Sequence, residues 1–429
     1  MKRWWQLCSL APAIMLLGAV INFGLCFKPL DWLAFRGWDV AIPENPAGVG
    51  PFEPNRDIHI QRAYGDLAAI GNRKDMRQYR EERFGVDEFG FRRVPNQRLL
   101  HSAGFAVGDS FTAGAGVSDS QTLPAQLTAR ADGLYYNAGA LSASFAAAEA
   151  ASSILHLSSG TVVYQLLERS ARQNPPPISE LTADPHSMQN GPRAAKQTSF
   201  VFQVQRAAQL FVSDHSPAII LSGKFVKSLE DGFWIPNAYS KGAVRGRLQN
   251  GDDILFYPED FATMGNINQL SSAWCSYLAA FRRRMAQQNI AMVVLLVPNK
   301  ATVYGPLTDM RQTDFRGAEL LEQLEKDLHA AGVPVLNLTP LFRAAAVREL
   351  PQHGYLYWRD DTHWNPHGIQ LAADALWNVI QETRAPSEPN PTASQAVSLD
   401  KKRATTRKTP PKNGISALAM EDERLHNQN

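Results

Sequence analysis

The stretch Phe105-Ala-Val-Gly-Asp-Ser-Phe-Thr-Ala-Gly-Ala-Gly-Val117 carries the reading of the fold. A short apolar run ends at Gly108-Asp109-Ser110 and passes into a glycine-bearing loop ahead of a helical pattern. As the first strand of an open α/β sheet, this run puts the Ser110 hydroxyl at a strand's carboxyl end, where such sheets hold their ligands. A serine there is placed as a nucleophile and needs a base to take its proton. Gly114 and Gly116 echo a phosphate-binding loop, but no Gly-Lys-Ser/Thr follows, so they read as giving the loop its tight turn.

Outward from this stretch, short apolar runs alternate with helical patterns, which predicts a mostly parallel sheet with helices on both faces. Strands are expected at Ala103–Val107, Leu134–Asn137, Thr161–Leu166, Ile290–Val297 and Val333–Leu336. Helices are expected at Pro124–Arg130, Ser144–Leu155, Asn268–Gln288, Ala318–Ala331 and Ile369–Thr383, with Gly332 stopping one before the last strand. The gap between the third and fourth strands, about 172–266, is too long for a simple crossover. Its turn signals Glu230-Asp-Gly232 and Asn250-Gly251 flank Phe233-Trp-Ile235 and Ile254-Leu-Phe-Tyr257, which predicts a largely β insertion over one end of the sheet.

The base appears far downstream, in Tyr357-Trp-Arg-Asp-Asp-Thr-His-Trp-Asn-Pro-His-Gly368, just ahead of the last helix. His363 can act on Ser110, and a carboxylate shortly before it can orient the imidazole. Asp361 and Asp360 are both candidates for that acid. A loop after the last strand emerges at the same sheet edge as the loop of Ser110. A metal site on His363, His367 and His353 is disfavoured, because Pro366 opposes a helix through the first pair and no Glu follows His363.

The two motifs together resemble the SGNH or GDSL hydrolase superfamily, and Asp361, His363 and Trp364 match the Asp-Thr-His-Trp signature of its alginate O-acetyltransferase-like branch. Thr161–Arg169, a strand ending in Glu168-Arg169, and Val297–Tyr304 agree with that branch. The resemblance covers roughly residues 85–383 and implies an SGNH-like, flavodoxin-like three-layer sandwich around a mostly parallel five-stranded sheet. It implies a triad of Ser110, His363 and Asp361, with backbone donors to the oxyanion near Ser110 and at Ser142 beside Asn137. Arg169 is either a donor of positive charge to the oxyanion or a salt-bridged structural residue, and Lys300 and Tyr304 either line the groove or are a surface lysine and a core tyrosine. The superfamily's Gly-x-Asn-Asp block is absent. In the alginate enzymes the Asp-Thr-His-Trp element precedes the serine, so the motif order here is that of the wider superfamily. Val86–Arg93 resembles a segment preceding the serine block in membrane-anchored members and is assigned a structural role, a short ribbon bridging anchor and catalytic domain.

The 429 residues carry 43 Lys+Arg against 41 Asp+Glu, too balanced for a chain that neutralises nucleic-acid phosphates. Three cysteines, two of them in the apolar N-terminus, give no disulfide framework. Behind Lys2 and Arg3, the uncharged stretch Trp4–Phe27 is long enough to cross a bilayer as a helix, and no small-x-small cleavage site follows it. The expected layout is an anchor at 1–28, a membrane-proximal segment with a short β-ribbon at 29–100, a catalytic domain at 101–383 and a disordered tail at 384–429, rich in Ser, Pro and Lys. Positive charge ahead of the span puts the catalytic domain outside the cytoplasm, and the resemblance implies the periplasm of a bacterial inner-membrane protein.

The chemistry implied needs no cofactor and no metal. An acyl group on Ser110 passes to water in an esterase or to a hydroxyl in an O-acetyltransferase, and tethering at the outer membrane face suits an exopolysaccharide substrate. A membrane-bound acyl-donor protein is the partner this scheme calls for. Two other readings use the same fold: a non-catalytic polysaccharide-binding or assembly protein, and a lipase or thioesterase on lipid acyl esters.

Overall fold

Alternation along each central strand sends successive side chains to opposite faces, and here both faces are covered, so the strands read as nearly continuous apolar runs. In the computed structural model, the strands are β1 Asp57–Ala63, β2 Arg80–Gly85, β3 Ser102–Gly108, β4 Leu134–Gly139, β5 Gly160–Leu167, β6 Val244–Arg247, β7 Asp253–Phe256, β8 Ile290–Val297 and β9 Val335–Asn337. The structure describes residues 12–22, 36–42, 49–182 and 242–384 apart from short breaks at 72, 98–99, 141–142, 263 and 311–316, together with Ser216.

Five strands form the central sheet in the order β4-β3-β5-β8-β9, every neighbouring pair parallel, as expected. Phe105, Val107, Tyr164 and Val294 face a core completed by Ala148, Tyr277, Phe281 and Leu324. Val163, Val293 and Leu295 face the other core, with Leu127, Phe342, Trp364 and Leu376. The chain order reverses between β3 and β5, and a sheet of this topology opens its ligand crevice at the carboxyl ends there. β3 runs directly into Ser110.

The helices expected at 124–130, 144–155, 268–288, 318–331 and 369–383 are present at Leu123–Arg130, Phe145–Ile154, Ile267–Ala286, Gly317–Ala330 and Pro366–Arg384. A further long helix, Leu338–Glu349, lies where the sequence reading places none. Its Leu338, Phe342, Ala345 and Ala346 recur on one buried face, and Asn337 caps it by accepting from the Thr339 N–H. Pro340 lies in the first turn, where a missing N–H costs nothing.

Two small antiparallel sheets flank the main one. β1 and β2 form an N-terminal ribbon, extended by a bridge between Val86 and Arg92. β6 and β7 pair around Asn250-Gly251, where Gly251 takes φ +88°. Phe233-Trp-Ile235 lies outside the described residues. Residues 12–22 are helical and expose Ile14, Met15, Leu16, Leu17, Val20 and Ile21, while the rest of the expected span Trp4–Phe27 lies outside the described residues. No described helix is long and apolar enough to cross a membrane. The chain divides after Arg384, the last residue of the final helix, and 385–429, the remainder of the tail expected at 384–429, lies outside the described residues.

Candidate active site

At the end of β3, Gly108 permits a close approach that a side chain would block: a Cβ there would lie 2.1 Å from Thr112 Oγ1 and 2.3 Å from Gln165 Oε1. Asp109 caps the one-turn helix Ser110–Ala113 by accepting from the Phe111 N–H at 2.9 Å, and Gly114 ends it at φ +82°. Burial pushes the Asp109 carboxyl up, against the pull of the Phe111 N–H, Arg169 and His363. Ser110 is thus fixed, half-buried, by its own backbone.

The histidine loop closes on itself. Trp358 N–H donates to His363 O and Asn365 N–H to Leu356 O, while Asn365 Oδ1 accepts from Gly368 N–H at the start of the last helix. Trp364 packs on Phe111, and its indole N–H donates to Phe111 O at 3.3 Å. The loop so held brings His363 Nε2 within 2.8 Å of Ser110 Oγ and His363 Nδ1 within 2.7 Å of Asp361 Oδ1. The pattern fits a hydroxyl that donates to Nε2 and an Nδ1–H that donates to the carboxylate.

Asp360, the alternative acid, is turned away. Its Oδ2 accepts from the Gly65 and Gln78 N–H groups, each at 2.8 Å, and its Oδ1 accepts from Arg80. Burial would raise Asp361, but His363, Arg80 and Arg36 together pull it well below the usual carboxylate range. Burial and the neighbouring charge of Asp361 push Asp66 up, so negative charge concentrates on Asp361.

Asp66 is a carboxylate that sequence reasoning missed. Its Oδ1 accepts from Thr362 N–H at 2.8 Å and its Oδ2 lies 3.8 Å from His363 Nδ1. Asp66, Asp361 and His363 offer ligand atoms within 4.8 Å of one another, a spacing compatible with a cation. Their directed partners in the structure are protein groups: Arg36 on Asp66, Arg80 on Asp361 and Ser110 on His363. His367 and His353 are bonded elsewhere, to Glu349 and Asp252.

Lys300 requires a correction. It neither lines a groove nor lies on the surface, for its ammonium is buried and donates to the carbonyls of Trp358, Arg359 and Asp361. The amine is a brace under the histidine loop, and burial lowers it to about 8 against the attraction of Asp361, Asp66, Asp360 and Asp260. Tyr304 is a core residue whose hydroxyl accepts from the Leu356 N–H. Arg169 donates to Asp260 at 3.3 Å and lies 4.5 Å over the Tyr257 ring, the salt-bridged arrangement of its two expected roles. Asn137 is fully buried. Its Oδ1 accepts from Gly139 N–H, and its Nδ2 has no hydrogen-bond partner among the described residues. Ser142 lies outside the described residues.

The segment before β3 does more than bridge. Gly65, Asp66, Gln78 and Arg80 all bond to the histidine loop. Arg92, buried against the Phe84 ring, donates to the carbonyls of Ala113, Gly114 and Val117 in the serine loop. A Cβ at Gly65 would sit 1.9 Å from Asp360 O, so the two segments touch backbone to backbone. From the insertion, β7 joins the same loop through Leu255 N–H to Arg359 O.

A family model described as an SGNH hydrolase-like domain, acetyltransferase AlgX, matches residues 248–415, a window that holds Asp361 and His363 and leaves Ser110 outside. A probable alginate O-acetylase AlgJ of Pseudomonas syringae pv. tomato is 26% identical over 212 residues, 49% of this chain and 51% of that protein. Proteins of the same description from Pseudomonas putida and Pseudomonas aeruginosa are 28% and 25% identical over 151 and 164 residues, covering 34% and 37% of this chain and 36% and 39% of their own. The chain thus spans about half or less of the length of the curated relatives it matches.

Proposed function

We propose that this chain, which resembles the alginate O-acetyltransferase-like branch of the SGNH hydrolase superfamily, is a serine acyl-ester enzyme that O-acetylates an exopolysaccharide. The observation that carries this reading is the continuous hydrogen-bonded line Asp361–His363–Ser110, in which each atom has the partner its role requires. His363 takes the Ser110 proton as Oγ attacks an acetyl ester. Asp361 holds the imidazole in the required tautomer and offsets the positive charge that develops on it. The tetrahedral oxyanion is received by backbone N–H groups of the serine loop, collapse expels the donor alcohol with the proton that His363 returns to it, and a sugar hydroxyl deprotonated in turn by His363 takes the acetyl group and gives Ser110 back its proton. Water in place of the sugar makes the same chain an esterase.

The location we propose is the periplasmic face of a bacterial inner membrane, with the apolar N-terminal stretch as a single-pass tether and a membrane-bound protein supplying acyl groups. The apolar residues exposed along 12–22 support the tether. The test supplies purified protein with 4-nitrophenyl acetate and an oligosaccharide acceptor, and follows nitrophenol release and acetylated sugar by mass spectrometry. Ser110→Ala is expected to lower both by at least about 10³-fold, and rates equal to wild type would overturn the reading. Acetylated sugar, rather than free acetate, distinguishes transferase from esterase.

A further inference from the structure

A carboxylate that orients a catalytic imidazole must itself be oriented by the groups that surround it. Asp361 has no exposed surface. Its Oδ1 is occupied by His363, through Nδ1 at 2.7 Å and the backbone N–H at 3.1 Å. The remaining oxygen, Oδ2, accepts from Arg80 Nη2 at 2.7 Å.

Arg80 stands on β2, 281 positions before Asp361. Its Nη1 donates to Asp360 Oδ1 at 3.2 Å and to Gln78 O at 3.1 Å. Its Nε donates at 3.1 Å to the carbonyl of Gly116 in the loop that follows Ser110. Trp358 covers one face of the guanidinium, 4.3 Å away, and the side chain is 8% exposed. One rigid plane therefore touches the loop of the nucleophile and the loop of the base together. A lysine cannot reproduce that, because its ammonium has no fixed fork to span three directions.

We infer that Arg80 is a positioning residue for the reaction: it fixes the plane of Asp361 and the spacing of the two catalytic loops, so that the N-terminal ribbon is part of the active site. The inference rests on the triad reading above. Asp66 closes the opposite side of the same pair through Thr362. Without the guanidinium, Asp361 Oδ2 is left buried without its charged partner, and the carboxylate is free to turn about its side-chain bond away from Nδ1.

The test compares wild type, Arg80→Ala, Arg80→Lys and Ser110→Ala as full chains. It combines steady-state kinetics on 4-nitrophenyl acetate, thermal melting to correct for unfolded protein, and the low-field proton resonance of the His363 Nδ1–H bonded to Asp361. Arg80→Ala and Arg80→Lys are each expected to lower kcat by about 100-fold per folded molecule, with KM within about threefold. The low-field resonance should shift or vanish in both, and added guanidinium ion should restore at least about tenfold of the lost rate to Arg80→Ala. Arg80→Lys retains the buried charge and serves as the folded variant should Arg80→Ala fail to fold. An unmoved resonance, or a loss of rate fully accounted for by the unfolded fraction, would overturn the inference. Ser110→Ala tests the other claim: wild-type rates there would end the triad reading, while the resonance would still report whether Arg80 orients Asp361.

Discussion

The loop of Ser110 and the loop of His363 meet through two hydrogen bonds, Ser110 to His363 and Trp364 to Phe111, yet they are held by different means. The serine loop is turned by a cap at Asp109 and left-handed glycines at 114 and 116, and the outside arginines that reach it, Arg92 and Arg80, donate only to its backbone carbonyls. The histidine loop is held from outside by charged and polar groups on other elements, Arg80, Asp66 and Lys300, and by the N–H groups of Gly65 and Gln78. A nucleophile needs one exposed oxygen in one place, which a tight turn supplies. A base with its acid must hold charge away from water, and that takes buried countercharge and dipoles.

The sharpest way to break this contrast is within the outside-held loop. Asp361→Asn is expected to lower kcat by about 10⁴-fold, because the amide presents the wrong group to Nδ1. Asp360→Asn, one residue away but turned to Gly65 and Gln78, is expected to retain most of the rate. Equal losses would erase the distinction between the two carboxylates.

Gly116 tests the place where the two systems touch. An alanine there takes a left-handed φ of +79° and puts its Cβ 3.1 Å from Arg80 Nη2 and 3.2 Å from Asp361 Oδ2. Stability is expected to fall by about 1–2 kcal/mol and kcat by roughly tenfold, read by melting and steady-state rates. A loss of stability without a loss of rate would show that the serine loop is independent of its neighbour.

The smallest effect concerns Lys300. Its amine titrates near 8 when folded and near 10.4 when unfolded, so between these values the unfolded chain binds the extra proton and stability rises with pH. Below about 8 both states are charged and the cost of burying the ammonium is fully present. Lys300→Met removes the titration, so its melting temperature relative to wild type should decline from pH 8 to 10.5. A constant difference across that range would place the amine in water.

The central strands and the Ser110 and His363 motifs were legible because their signals are local: apolar runs such as Ile290–Val297, and the two polar clusters that interrupt them. Much of what holds the histidine loop was not. Arg80-Glu-Glu-Arg83 reads as a charged surface ribbon, and nothing in its neighbourhood points to a partner 280 positions away. Lys300 was misread for a related reason, since composition puts lysines at the surface unless a ring of carbonyls is known to await them. The helix Leu338–Glu349 is different: its apolar period was on the page, and Pro340 sits where a helix tolerates it.

The 295-residue separation between Gly65 and Asp360 also bears on how the protein comes into being. Synthesis delivers the N-terminal ribbon first, and domains begin to fold as they leave the ribosome. Arg92 and Asp119 can pair early, being 27 residues apart, but Arg80 and Asp66 wait for the histidine loop until most of the chain has been made. A nascent chain thus carries a shaped serine loop without the histidine loop beside it. The contact between the two arrives late, in one long-range closure of the kind that makes folding slow.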